Sequence, residues 1–316
     1  MKKITFVEPP AGILYARVAD ESLPLSFIRV LGSPYLRTAA LRCIASIIKH
    51  FFIAQHRAAF LPGRIPVSRA DHPLDSTIPF LPGKVGIYLD FVAFWIRSLG
   101  FMLRTGGRQA LEPALNFIET MGQLYARAGE VYGRRLSTTK RPFYIAHPRF
   151  LPIHGLDPHL MCVPSLHVMV VIRTYTFFGG VLEKFAGTDA AAPAEELYRG
   201  AIAITEAVLY IKQHSVNCIP AAMYAMTRFD PALFPPAEAE RFAADLFRQG
   251  QNPAGGDAEN IRRHIITLYR RFLAEGESAA FWAKPLLDFL KELPALNAKG
   301  CRERDSNSYG LAARGF

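Results

Sequence analysis

The chain has 316 residues, of which 50% are hydrophobic, 20% are charged and 12% are aromatic. This composition is too apolar for a disordered protein and too charged for a membrane protein built from uninterrupted apolar spans. The 37 basic and 27 acidic residues give a net charge of +10, which favours anionic partners such as phosphorylated substrates or acidic lipid headgroups. Four widely separated cysteines do not resemble a disulfide framework, so a reducing compartment is expected.

Helical periodicity accounts for most of the chain, so the expected fold class is all-α. Residues 1–36 are rich in proline and are predicted to be irregular. Helices are predicted over 37–60, 84–104, 109–133, 165–185 and 194–213, the last reaching towards 226 with an interruption at Pro220. Proline-rich loops are predicted over 61–83 and 136–164. Amphipathic helices are predicted over 236–249, 257–274 and 278–292. No alternating pattern predicts a strand.

Membrane-spanning helices need about 20 mostly apolar residues. The best candidates, 84–104 and 160–184, each carry central charges, and every such charge costs about 2.5–3.5 kcal/mol on insertion scales. We therefore expect a cytoplasmic or peripheral membrane protein and favour an integral one less. One amphipathic helix, near 258–273, combines an apolar face with four arginines and could lie on anionic lipid.

Three short motifs occur in order along the chain. Arg134 and Arg141 are separated by six residues, and Arg141 is followed by a proline. The second motif is Pro-Ser-x-His, which contains Ser165 and His167. The third is Lys-Gln-His, which contains Lys212 and His214.

Together these motifs resemble the three signature motifs of the type 2 phosphatidic acid phosphatase (PAP2) superfamily, which also contains vanadium haloperoxidases. The stretch Asp75–Pro82 is similar to the D-x-x-I-P-F-x-P segment of the branch that contains inositol phosphorylceramide synthases. The resemblance covers roughly residues 70–228. It implies a PAP2-like helical core over 66–230, with an N-terminal extension and helix over 1–65, C-terminal amphipathic helices over 231–296 and a flexible tail over 297–316.

The resemblance also implies roles for the site residues. His214 matches the family's nucleophile, which forms a phosphohistidine, and His167 matches its general acid. Phosphoryl transfer needs cations around the equatorial oxygens, and Arg134, Arg141 and Lys212 would supply them. The Ser165 hydroxyl lies where a loop enters a helix, a position that suits an anion. No cofactor is implied, because the basic side chains provide the charge.

The expected function is therefore hydrolysis or transfer of a phosphoester, with a phosphorylated small molecule or a lipid headgroup as partner. The third motif of the family ends in an aspartate four residues after the histidine, and Cys218 stands there in this chain. In the family that aspartate orients the nucleophilic ring. A binding module without catalysis, for phosphate, lipid or protein, is therefore the alternative.

Two further interpretations use the same residues or the charge. Cys162, His167, His214 and Cys218 form two Cys/His pairs, and tetrahedral zinc is a minor alternative. It assumes that His214 and Cys218 share one face of a helix. Nucleic acid is not expected, because only the net charge supports it.

Overall fold

The computed structural model describes residues 17–61, 63–186, 190–248 and 253–296. It is all-α apart from three short strands. The helices are α1 (Leu23–Gly32), α2 (Pro34–Ile47), α3 (Ala54–Phe60), α4 (Val85–Gly106), α5 (Leu111–Tyr132), α6 (Phe150–Leu156), α7 (Leu166–Ala186), α8 (Ala191–Tyr210), α9 (Cys218–Phe229), α10 (Pro236–Asp245), α11 (Gly255–Glu277) and α12 (Lys284–Glu292). A π-helical segment, Ile48–Ile53, joins α2 to α3.

The prediction of an irregular N-terminal region is wrong where the structure describes it, because α1 and the start of α2 are helical. Pro24 and Pro34 each lie in the first turn of a helix, where proline costs little because those N–H groups have no intrahelical partner. Ser22 caps α1 by accepting a hydrogen bond from the N–H of Leu25. Residues 1–16 lie outside the described residues.

The core lies where α4, α5, α7, α8 and α9 pack together. The helix predicted over 109–133 is confirmed as α5, and its Ile118, Met121 and Leu124 are buried. Arg173, in the middle of α7, is also buried and pairs with Asp230 at 2.6 Å. The charge in this apolar helix is therefore neutralised within the protein.

Three short strands occur, two of them in the predicted proline-rich loops and the third after the last predicted helix. They are β1 (Val67–Arg69), β2 (Leu136–Thr138) and β3 (Ala295–Leu296), in the order β2-β1-β3. Strand β1 runs parallel to β2 and antiparallel to β3. Segments of two or three residues are too short to show alternation, so the sequence does not predict them. The sheet holds the two proline-rich loops side by side.

The structure corrects the expectation that the amphipathic helix near 258–273 lies on anionic lipid. The apolar residues Ile261, Ile265, Leu268 and Phe272 are buried, and α11 packs against α9. This face is covered by the protein itself and is not available to a membrane. The predicted tail over 297–316 lies outside the described residues.

Two helical segments, Pro82–Tyr132 and Leu166–Lys184, are long and apolar enough to cross a membrane by length and composition. The most apolar window of the second is 72% buried inside the protein, and that of the first is 50% buried. Such helices are consistent with membrane association, and core packing explains much of their apolar character.

Candidate active site

The second and third motifs meet at the N-terminal end of α7. Ser165 lies directly before the helix and His167 lies in its first turn, as predicted. His214 does not lie on a helix, because α8 ends at Tyr210 and α9 begins at Cys218. It occupies the turn between them, in which Lys212 has a φ of 57°. This left-handed residue reverses the chain and directs the following side chains towards α7.

The ring of His214 is fixed through both nitrogens. Its Nδ1 lies 3.2 Å from the backbone carbonyl oxygen of Cys162. A carbonyl oxygen can only accept, so Nδ1 carries the proton and Nε2 is the unprotonated nitrogen. Nε2 lies 3.2 Å from Ser165 Oγ and 3.4 Å from His167 Nδ1. The tautomer of His214, with Nε2 unprotonated, is therefore set by a backbone carbonyl.

His167 stacks on aromatic rings of α4. Its ring centroid lies 4.4 Å from that of Tyr88 and 4.1 Å from that of Phe91. Burial lowers the pKa of His167 to about 4, although the charge of Asp157 opposes the shift. Burial, and then the neighbouring His167, hold the pKa of His214 well below its usual value. Both rings are therefore neutral at neutral pH.

The D-x-x-I-P-F-x-P segment holds the turn that carries His214. The Asp75 carboxylate accepts hydrogen bonds from the backbone N–H of Val216 at 2.8 Å and of His72 at 2.7 Å. Lys212 Nζ donates to the carbonyl oxygens of Asp75, at 2.5 Å, and Ile78. The structure thus places Lys212 on backbone oxygens beside the site, where burial lowers the pKa of its ammonium and the charge of Asp75 opposes that shift.

Arg141 lies beside the His214 turn. Its guanidinium donates to Gln213 Oε1 at 3.1 Å and to the carbonyl oxygen of Asp157 at 2.8 Å, and lies 3.3 Å from the Asp157 carboxylate. Gln55 Nε2 also donates to that carboxylate, at 2.7 Å. Burial alone would raise the pKa of Asp157, but the hydrogen bonds and charge of His159 together with the charge of Arg141 outweigh it and hold the pKa well below its usual range.

Arg134 does not reach the site for which it was predicted. Its guanidinium donates to the carbonyl oxygen of Glu130 at 2.7 Å and lies over the Phe281 ring at 4.5 Å. Arg134 follows the C-terminal end of α5, and its exposed side chain extends back along that helix rather than into the site. Among the described side chains, only Arg141 of the first motif contacts the loop and turn that form the site.

A small cavity adjoins the histidine pair, and a large cleft adjoins that cavity. The small cavity, with a volume of about 20 Å³, is lined by His167, His214 and Asp157 among others. It has room for one water molecule. The cleft is open, has a volume of about 2670 Å³ and shares Asp157, His159 and Met161 with the small cavity as lining residues. The basic residues that line the cleft are Lys49, Arg57, Arg64, Arg69, Lys140, Arg141 and Lys212. The small cavity must therefore widen before a phosphoryl group can reach the histidines.

The zinc alternative loses its geometric basis. His214 and Cys218 do not share a helical face, because residues 211–217 form a turn. The Sγ atom of Cys162 lies 3.7 Å from His159 Nε2, while its carbonyl oxygen faces His214. Within the described residues, no group of three or more His, Cys, Asp or Glu side chains has an arrangement that could hold a metal ion.

Sequence reasoning missed several residues of this site. Asp157 and His159 lie in the second proline-rich loop, and His159 Nε2 lies 2.8 Å from Thr139 Oγ1. Gln55 reaches the site from α3, and Tyr88 from α4. An acidic residue and a histidine shortly before the Pro-Ser-x-His motif were the available signal for the first two. Nothing local marks Gln55 or Tyr88, because only tertiary packing brings them here.

Comparison with known proteins gives no match: no family model fits the sequence, and no curated protein or solved structure is significantly similar to the chain.

Proposed function

We propose that the protein is a phosphoester hydrolase or phosphoryl transferase of PAP2 type, acting through a phosphohistidine at His214. The observation that carries the proposal is the arrangement of His214, with Nδ1 on the Cys162 carbonyl and Nε2 towards His167 and Ser165. A neutral imidazole with a fixed tautomer is the form that attacks phosphorus. The four ordered motifs support the same family.

In the proposed reaction, Nε2 of His214 forms a bond to phosphorus while the bond from phosphorus to the leaving oxygen breaks. His167 gives its proton to that oxygen. Water, or the hydroxyl of an acceptor, then attacks phosphorus, loses its proton to His167 and releases His214. Attack by water gives hydrolysis, and attack by an acceptor hydroxyl gives transfer.

The phosphoryl oxygens would be held by Arg141, Ser165 and the free N–H groups in the first turn of α7. Because Arg141 already contacts Asp157, the substrate must compete for part of its guanidinium. Substrate entry must also part His167 from His214, since their nitrogens lie 3.4 Å apart. A bound phosphoryl dianion would raise the pKa of His167 and so supply the protonated acid.

We expect a lipid phosphate or another apolar phosphomonoester as substrate. The cleft that leads to the histidines combines cations with the apolar side chains Ile53, Phe60, Phe143 and Ile145. A headgroup and the start of an acyl chain would find complementary surfaces there. A peripheral position on the membrane fits this substrate class.

Phosphate release from a short-chain phosphatidic acid tests the proposal. We expect His214→Ala to abolish turnover and His167→Ala to reduce it by about 10²–10⁴-fold, the usual contribution of a general acid. His147→Ala is the matched control, because His147 lines neither cavity and contacts Arg149 and Phe150 instead. Full activity in His214→Ala would refute the mechanism.

A second candidate is a phosphate-binding module without turnover. The specific observation in its favour is the buried Cys218, which supplies no carboxylate to the site. A backbone carbonyl orients His214 but stabilises its protonated form less than a carboxylate would. Phosphate binding that weakens in Arg141→Ala, together with no turnover of any phosphoester, would favour this candidate.

A further inference from the structure

The N-terminal helices expose an apolar surface that no described residue covers. On α2 and the π-helical segment, Leu41, Ile44, Ile48 and Phe52 recur every three or four residues and lie on one side. The opposite side carries the buried residues Leu36, Ala39, Ala40 and Cys43 and packs against α5. The helix is thus apolar on two sides, and the core accounts for only one of them.

The surface extends over both neighbouring helices. We define the N-terminal apolar face as the exposed residues Leu25, Ile28, Leu31, Leu41, Ile44, Ile48, Phe52, Ile53 and Phe60. Ile28 is 65% exposed and Phe60 is 79% exposed. These nine exposed large apolar side chains between residues 25 and 60 are more than the isolated ones that a soluble monomer normally carries, so the face is expected to have a partner.

The charge of this region identifies the chemistry of that partner. From Ser22 to Ala70 the sequence contains seven arginine or lysine residues and no aspartate or glutamate. The side chains of Arg42, Lys49, Arg57 and Arg64 are exposed, and none forms an ion pair with a described residue. Arg42 and Lys49 are seven residues apart, so they lie on the same side of the helix, next to the apolar stripe.

We propose that the N-terminal apolar face docks on an anionic lipid bilayer, with α1 and α2 lying in the interface. An apolar stripe flanked by cations is the pattern of interfacial helices, because the stripe enters the acyl boundary while the cations meet acidic headgroups. A second copy of the chain is a poorer partner, since two identical faces would bring the four unpaired cations of one copy against the same four of the other. A bilayer satisfies both the apolar side chains and their unpaired cations.

The N-terminal apolar face continues into the large cleft that borders the small histidine-lined cavity. Ile53, Phe60 and Leu61 are exposed and also line the cleft. Phe143 and Ile145, which line the cleft too, are exposed as well. Docking would therefore place the mouth of the cleft at the lipid–water boundary. That a lipid phosphate enters there rests on the proposed function, whereas the docking itself does not.

Co-sedimentation with vesicles tests the docking directly. The full chain is mixed with vesicles of phosphatidylcholine alone and with vesicles of equal parts phosphatidylcholine and phosphatidylglycerol. We expect binding to the second, weakened by salt because the headgroup attraction is screened. Arg42→Gln/Lys49→Gln should weaken this binding about tenfold or more. The matched control, Arg248→Gln/Arg263→Gln, removes the same charge from the exposed surface of the C-terminal region and should bind like the wild type.

A fluorescent label distinguishes docking from unspecific attraction. Cys43, Cys162 and Cys218 are buried, so an environment-sensitive dye on an introduced cysteine can report one position in a Cys301→Ser background. At Ile48→Cys the emission should shift to the blue when anionic vesicles are added, and at Arg263→Cys it should not.

The outcomes separate the proposals. Absence of vesicle binding would overturn the docking, whether the face proves to be covered by another part of the chain or by a second copy detected as a dimer. Equal shifts at residues 48 and 263 would overturn it too. Because His214→Ala leaves the face intact, its undiminished vesicle binding would support the docking even if the chain has no phosphatase activity.

Discussion

The Nδ1 atom of His214 lies 3.2 Å from the backbone carbonyl oxygen of Cys162. This relationship answers the question that Cys218 raises, namely what orients the ring when the third motif lacks its aspartate. A carbonyl that accepts from one imidazole nitrogen fixes both the tautomer and the ring plane. It brings no negative charge, so burial keeps the ring neutral.

Introducing the aspartate of the resembled PAP2 motif at position 218 should not help this chain. Cys218 is fully buried, and burial raises the pKa of its thiol well above the usual value. The nearby charge of Asp75 contributes to the same shift. We expect Cys218→Asp to lower the free energy of unfolding by about 3–5 kcal/mol, because it places an uncompensated carboxylate in the core. Denaturant unfolding measures this loss. An active, stable Cys218→Asp variant with faster turnover would show that the carbonyl is an inadequate substitute.

The anchoring of the His214 turn gives a second prediction. Asp75→Asn removes the charge from two hydrogen bonds, including the one to the N–H of Val216. We expect a loss of about 1–3 kcal/mol in the free energy of unfolding, together with reduced phosphate release, because the turn no longer has a fixed position. Asp20→Asn, on an exposed residue far from the turn in sequence, should change neither quantity. Unchanged stability in Asp75→Asn would mean that the turn is held by other contacts.

The buried histidines make stability depend on pH. The pKa values of His167 and His264 are lowered to about 4, in both cases mainly by burial. Between about pH 6.5 and pH 4 an unfolded chain binds protons at these histidines and the folded chain does not, so the free energy of unfolding falls as the pH falls through this window. For His167 the full effect is at most about 3 kcal/mol.

Urea unfolding across this pH range provides the measurement. His167→Gln should show a shallower decline than the wild type, because one of the titrating groups has been removed. His147→Gln should keep the decline of the wild type. If His167→Gln declines as steeply as the wild type, His167 is not the buried neutral group that the structure indicates.

A close contact between α1 and α4 gives a prediction for the N-terminal region. A Cβ at Gly100 would overlap the side chain of Ser26, lying 2.6 Å from its Cβ. We expect Gly100→Ala to cost about 1–3 kcal/mol in the free energy of unfolding, because the two helices must move apart. At Gly83 nothing lies within 4 Å, so Gly83→Ala is the control for a matched thermal unfolding series. Equal stability of the two variants would contradict this helix packing.

The sequence predicts those helices in which apolar residues recur at helical spacing over a long segment. Helices α4, α5, α7 and α8 are found near their expected positions because each buries a continuous stripe. The sheet and α6 were missed because short elements inside proline-rich loops carry no period. The break at residues 211–217 was missed because no glycine or proline marks it, and the left-handed Lys212 turns the chain.

The candidate site was predicted in part. The juxtaposition of Ser165, His167 and His214 is present, and Arg141 lies beside them. The position of Arg134 was wrong because a motif fixes the spacing of a residue but not the direction of its side chain. The carbonyl of Cys162 was not predictable, since any residue supplies a backbone oxygen and only the fold decides which one meets the ring.

The most direct test of the central claim is a search for phosphohistidine on His214. The protein is mixed with a short-chain phosphatidic acid, quenched in alkali, which preserves phosphohistidine, and analysed by mass spectrometry. We predict a phosphoryl group on His214 in the wild type and none in His214→Ala, which should also be inactive. Turnover that continues in His214→Ala, with no phosphorylated histidine in the wild type, would contradict the account.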